Sequence, residues 1–184
     1  MSNNQKLDYT KAKIAISGKS GCGNTTVSRI VAEELKLKFI NFTFRSLAQE
    51  KNLSMEEVLK LAAEDDSWDR EVDRRQVELA RDAEGCVLGS RLAIWMLPEA
   101  RLKVFLTASL ENRARRILGR EGGILKDVMD FTAERDRQDH DRYKRIYGIN
   151  NDDYSFVDLV INTDRIGPKE IAALIIAELH KKDA

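Results

Sequence analysis

Lys13-Ile14-Ala15-Ile16-Ser17-Gly18-Lys19-Ser20-Gly21-Cys22-Gly23-Asn24-Thr25-Thr26 begins as an apolar run, breaks into glycines and opens a helix. The first five residues read as a buried strand. Val27, Ile30, Val31 and Leu35 then recur at helical spacing, which predicts an amphipathic helix over about 24–36. Between the two, Gly18, Gly23 and Thr25 meet the P-loop pattern G-x-x-x-x-G-K-[ST], but Asn24 stands where the lysine belongs. Glycines permit a tight turn whose N–H groups converge on an anion, and the helix start adds its positive dipole. Gly18, Ser20, Gly21, Cys22, Gly23, Asn24, Thr25 and Thr26 are therefore the expected phosphate site, with the Thr25 hydroxyl placed for Mg²⁺. The asparagine removes a cation from a reaction class in which electrostatic stabilisation is most of the catalysis. Lys19, in the same loop, is expected to supply part of that charge.

Outward from this loop, short apolar runs alternate with helical patterns. Further strands are expected at 38–42, 86–89, 102–106 and 159–162, and a last helix over about 168–181 with Pro168 in its first turn. That alternation predicts an α/β fold: a five-stranded parallel sheet flanked by helices. Two excursions interrupt it. One, after the second strand, holds short helices including the capping box Ser54-Met55-Glu56-Glu57, and the other is a basic helix pair over about 110–120 and 123–147. The chain has 184 residues, 42% hydrophobic and 34% charged, with 31 Lys plus Arg against 31 Asp plus Glu. A single domain is expected, and no global charge draws it to nucleic acid or an anionic membrane. Cys22 and Cys86 are too few for a disulfide framework, and the polar start with no long apolar run predicts a cytoplasmic protein.

Arg113, Arg116 and Arg120 fall at i, i+3 and i+7 beside Gly119, Gly122 and Gly123, the pattern of a mobile arginine lid over phosphates. Arg135, Asp139 and Arg142 line a face of the next helix. An Arg–Asp pair complements cytosine, whose exocyclic amine suits a carboxylate, although the N3–H of uracil could also reach one. His140 and His180 show no ligand spacing, and Trp68 and Trp95 read as packing residues.

Together these residues resemble the nucleoside monophosphate kinases, and within them the shorter branch of the cytidylate kinase family. The resemblance runs from about Lys13 to Lys181 and includes Phe44-Arg45, Asp69 with Asp73-Arg74-Arg75-Gln76, Gly89-Ser90-Arg91-Leu92-Ala93-Ile94-Trp95, Arg135-Asp136 with Asp139 and Arg142, Tyr143, Tyr147 and Asp158 to Thr163. It implies a core (about 12–42, 84–108 and 156–182), a substrate flap (43–83) and a lid with base-reading helices (109–150). It implies Mg²⁺-dependent transfer of the ATP γ-phosphoryl group to CMP or dCMP by a monomer that binds neither nucleic acid nor membrane. Arg45 and Arg91 would hold the acceptor phosphate. Thr43, Asp73, Arg74, Arg135, Asp139 and Arg142 would complete the CMP site, and Lys19, Arg116, Arg120 and Arg135 would act on the transferred group. Two departures accompany Asn24: the short turn Asn41-Phe42-Thr43, and a third strand ending Leu88-Gly89-Ser90 with no acidic residue. The alternatives are a kinase of UMP or of a small alcohol such as shikimate, and a nucleotide-binding protein without useful turnover.

Overall fold

A computed structural model describes residues 9–182. Its sheet is five-stranded and wholly parallel: β1 (Lys13–Gly18), β2 (Lys38–Ile40), β3 (Cys86–Gly89), β4 (Leu102–Thr107) and β5 (Leu159–Asn162), in the order β2-β3-β1-β4-β5. Register is set by pairs such as Ile16 with Gly89 and with Val104. β1 sits centrally with its residues from Ile14 to Gly18 buried, because helices cover both faces of the sheet. On one face Ile14, Ile16, Val104 and Leu106 pack beneath α1 (Asn24–Leu35), which also supplies Val27 and Val31. α8 (Pro168–Lys181) packs beside α1 and adds Ile175 and Leu179. On the other face Ala15, Leu88 and Phe105 meet Ala80, Ile94 and Leu97.

The strand alternation expected from the sequence is present, with two differences. β2 stops at Ile40, because Thr43 caps the next helix, α2 (Phe44–Lys51), in a reciprocal box with Ser46. A short helix α5 (Ala93–Met96) follows β3, its start held by the Ile94 N–H donating to Ser17 Oγ at 3.1 Å. Four residues carry no periodicity to read.

The first excursion is α2, α3 (Met55–Glu64) and α4 (Ser67–Asp82), packed on a small cluster of Phe42, Leu47 and Val72 with Trp68 at its side. The second is α6 (Leu110–Glu121) against α7 (Leu125–Tyr147). Trp95 packs edge-on against Phe105, so both tryptophans are packing residues. No helix among the described residues is long and apolar enough to cross a membrane.

Candidate active site

The carboxyl ends of β1 and β3 open into a cavity of about 640 Å³, where parallel α/β sheets bind ligands. The glycine loop forms one wall. Gly21 (φ 85°) and Gly23 (φ 93°) adopt left-handed backbone that a side chain resists, and a Cβ at Gly21 would stand 2.8 Å from Arg113. The N–H groups opening α1 at Asn24, Thr25 and Thr26 have no intrahelical acceptor by helix geometry and line the cavity.

Not every loop residue faces this cavity. Cys22 is a correction to the sequence expectation: its side chain is buried in the core, burial raises its thiol pKa, and its N–H is spent on Lys19 O at 3.1 Å. Asn24 does not stand in for a lysine, since its Oδ1 accepts from Ser28 Oγ at 3.1 Å, one turn along α1. Ser28 in turn packs against Gly89, where a Cβ would lie 2.6 Å from Ser28 Oγ. Lys19 lines the cavity, with Nζ 2.7 Å from Asp152 Oδ1; the same carboxylate lies 3.2 Å from His140 Nδ1. Neither Asp152 nor this latch was foreseen, because the two residues lie far apart in sequence.

Of the arginines of α6, Arg116 and Arg120 line the cavity, and Arg113 and Arg116 also bond to the protein itself. Arg113 is buried, holding Asp136 and the Ser20 carbonyl. Arg116 donates to Gly21 O at 3.0 Å and to Thr163 Oγ1 at 2.9 Å, so it ties the loop to the end of β5. Arg120 is exposed at the rim beside Glu121 and lines the cavity.

The opposite wall carries the candidate acceptor site. Arg45, in the first turn of α2, and Arg135 on α7 line the cavity with no ion pair or hydrogen bond among the described residues. Desolvation, then the charge on Arg91, holds Arg135 below the ordinary arginine range. Arg91 Nη1 lies 3.1 Å from Asp139 Oδ2, and Arg142 Nη2 donates to Asp139 Oδ1 at 2.6 Å. Both oxygens of Asp139 are thus engaged in setting two arginines, so it is no free base reader. Thr43 lines the cavity while its hydroxyl caps α2. Arg74 is the second correction: it lies outside this wall, exposed and paired with Glu71 and Glu78 along α4. Those glutamates sit at i−3 and i+4, a pattern the sequence already contained. Asp69, Gln76 and Tyr143 also line the cavity, without having been assigned a role.

Asp73 accepts from Tyr147 OH at 2.7 Å and from Gln76 Nε2 at 3.3 Å. Burial nevertheless pushes its pKa from 3.8 to about 6. A carboxyl whose folded pKa is raised adds stability at low pH that is lost as pH climbs through 6. Asp73→Asn is therefore expected to match the parent in thermal melts at pH 4 and to exceed it by about 2 kcal/mol at pH 8.

The donor set at Thr25 suits Mg²⁺. Thr25 Oγ1 stands at the cavity mouth, accepting from Asn41 Nδ2 at 3.3 Å. No cluster of three or more His, Cys, Asp or Glu that could hold a metal occurs among the described residues. One hydroxyl, completed by phosphate oxygens and water, is a set that this ion accepts.

A phosphate loop under a parallel sheet, faced by convergent arginines, defines a P-loop kinase architecture. The shikimate kinase of Bacteroides thetaiotaomicron superposes with a TM-score of 0.62 at 18% identity, covering 92% of this chain and 98% of that one. Sequence narrows the class. The chain matches the cytidylate kinase-like family over residues 13–165, and it belongs to that family. Cytidylate kinase 2 of Borreliella afzelii is 46% identical over 175 residues, covering 93% of this chain and 98% of its own. Cytidylate kinase of Pyrococcus horikoshii is 40% identical over 175 residues, covering 94% and 91%.

Proposed function

We infer that the protein transfers the γ-phosphoryl group of ATP to CMP or dCMP, giving the diphosphate and ADP, in the cytoplasm and as a monomer. The observation carrying this reading is the cavity itself, in which loop amides face Arg45, Arg91, Arg135 and Arg142. Two anions facing each other need such opposed sites. The acceptor phosphate already bears a nucleophilic oxygen, so no covalent intermediate is required. The loop amides orient the donor, the arginines orient the acceptor for in-line attack, and closure excludes water. Mg²⁺ at Thr25 would neutralise charge on the donor phosphates when bound. Residues 43–83 serve as the substrate flap and 109–150 as the lid, with Arg120 reaching the donor.

Lys19 is the cation assigned to the place Asn24 leaves vacant, released from Asp152 as the nucleotide binds. Lys19→Met is expected to lower kcat about tenfold, within the range for one lost charge on a transferring group, with little change in KM for CMP. A kcat equal to the parent's removes Lys19 from the chemistry. The reading as a whole is tested by a coupled assay with ATP and Mg²⁺ against CMP, dCMP, UMP and AMP. Preferred turnover of CMP and dCMP is the expected result. Binding with no turnover of any acceptor would instead favour a nucleotide sensor, the reading that Asn24 bonded to Ser28 supports.

A further inference from the structure

We propose that Asp69 is the acceptor that reads the 4-amino group of the cytosine ring, an inference that rests on the acceptor being a cytidine monophosphate. Asp69, Asp73 and Gln76 fall at i, i+4 and i+7 of α4, on one face, and all three line the cavity. Three carboxylates therefore compete for the role. Asp139 has both oxygens committed to Arg91 and Arg142. Asp73 has both committed to Tyr147 and Gln76. Asp69 is 8% exposed, faces the cavity and accepts no hydrogen bond among the described residues.

Its ion pair among the described residues explains what would fit. Arg142 Nε lies 3.4 Å from Asp69 Oδ1, and that nitrogen is buried without a hydrogen-bond partner. A carboxylate open to the cavity and a buried donor thus stand side by side, and the donor is without a partner, against the usual rule for native interiors. Cytosine presents an amine next to the acceptor N3, the order that meets a carboxylate followed by an N–H. With the ring fixed by its sugar and phosphate, uracil presents the reverse order. Its O4 would then face the carboxylate, and a buried polar group left without its partner is what gives hydrogen-bonding sites their discrimination.

The test compares three acceptors, CMP, UMP and the 5′-monophosphate of pyrimidin-2-one riboside, which is CMP without its amine. For the unaltered protein CMP is expected to exceed the other two in kcat/KM by about 10- to 100-fold, the range for one hydrogen bond to a charged group. Asp69→Asn is expected to erase most of the gap between CMP and the deamino analogue, while leaving turnover of the analogue within about threefold. Asp139→Asn, which loosens two arginines, should lower all three alike. A CMP-to-analogue ratio unchanged in Asp69→Asn, or collapsed only in Asp139→Asn, overturns the proposal. Asp69→Ser provides the same comparison should the asparagine variant fold poorly. If no acceptor is turned over, the proposed activity falls, and calorimetric binding of CMP against the analogue still decides the role of Asp69.

Discussion

Arg91→Met is expected to cut kcat/KM for CMP by about three orders of magnitude, the scale of losing two charge-assisted hydrogen bonds to the acceptor phosphate. Arg91 leaves the end of β3 and reaches the cavity with 31% of its side chain open. Asp139 pairs with it, and burial, then the charge on Arg91, lowers the pKa of Arg135 on the same wall. Two guanidinium groups on one cavity wall would both gain from an anion between them, the role proposed for the acceptor phosphate. Since the seated phosphate is also the nucleophile, both KM and kcat should worsen. Arg91→Lys should recover only a small part, because an ammonium supplies charge without the bidentate fork. Steady-state kinetics check this, with thermal melts to show that both variants fold. Equal kinetics in Arg91→Met and the parent would remove Arg91 from the acceptor site.

The sheet was legible because its central strands are buried on both faces and so appear as unbroken apolar runs such as Ile14-Ala15-Ile16 and Val104-Phe105-Leu106. The phosphate loop was legible because glycine spacing before a helix encodes backbone shape directly. What escaped was pairing. Lys19 with Asp152, Arg116 with Thr163 and Arg142 with Asp69 each join segments far apart in the chain, and composition does not reveal which cation a carboxylate will find. The Asn24 bond to Ser28 and the Arg74 pairs to Glu71 and Glu78 are different. They follow helical spacing, and reading that spacing for hydrogen bonds as well as for burial gives both side chains partners on their own helix. The regular face of arginines on α6 carries a second meaning for a related reason. An i, i+3, i+7 stripe is equally the pattern of a helix face turned toward its own protein, and the α6 stripe leans on the loop at Arg113 and Arg116 before emerging at Arg120.

That arrangement makes Arg113 the most consequential residue for stability among those considered. Arg113→Ala is expected to cost about 3–5 kcal/mol, because it strands a carboxylate that the fold has enclosed. Asp136 has only 16% of its side chain exposed, and Arg113, at 7%, meets it with two bonds, of 3.1 and 2.6 Å. For a chain of this length the midpoint of thermal unfolding should fall by roughly 6–20 °C. Removing the carboxylate as well, in Arg113→Ala with Asp136→Ala, should restore a large part of the loss, since the unpaired charge goes with it. A second consequence separates this pair from an ordinary buried ion pair. Arg113 Nη1 also donates to Ser20 O at 3.2 Å, a tie to the glycine loop that alanine cannot make. The double variant should therefore regain stability without regaining the loop: KM for ATP should stay elevated while KM for CMP returns toward the parent value. Urea denaturation of the four proteins of the cycle gives the coupling, and initial rates with each nucleotide varied in turn give the split. A double variant no more stable than Arg113→Ala would show that the loop contact, and not the enclosed charge, carries the cost.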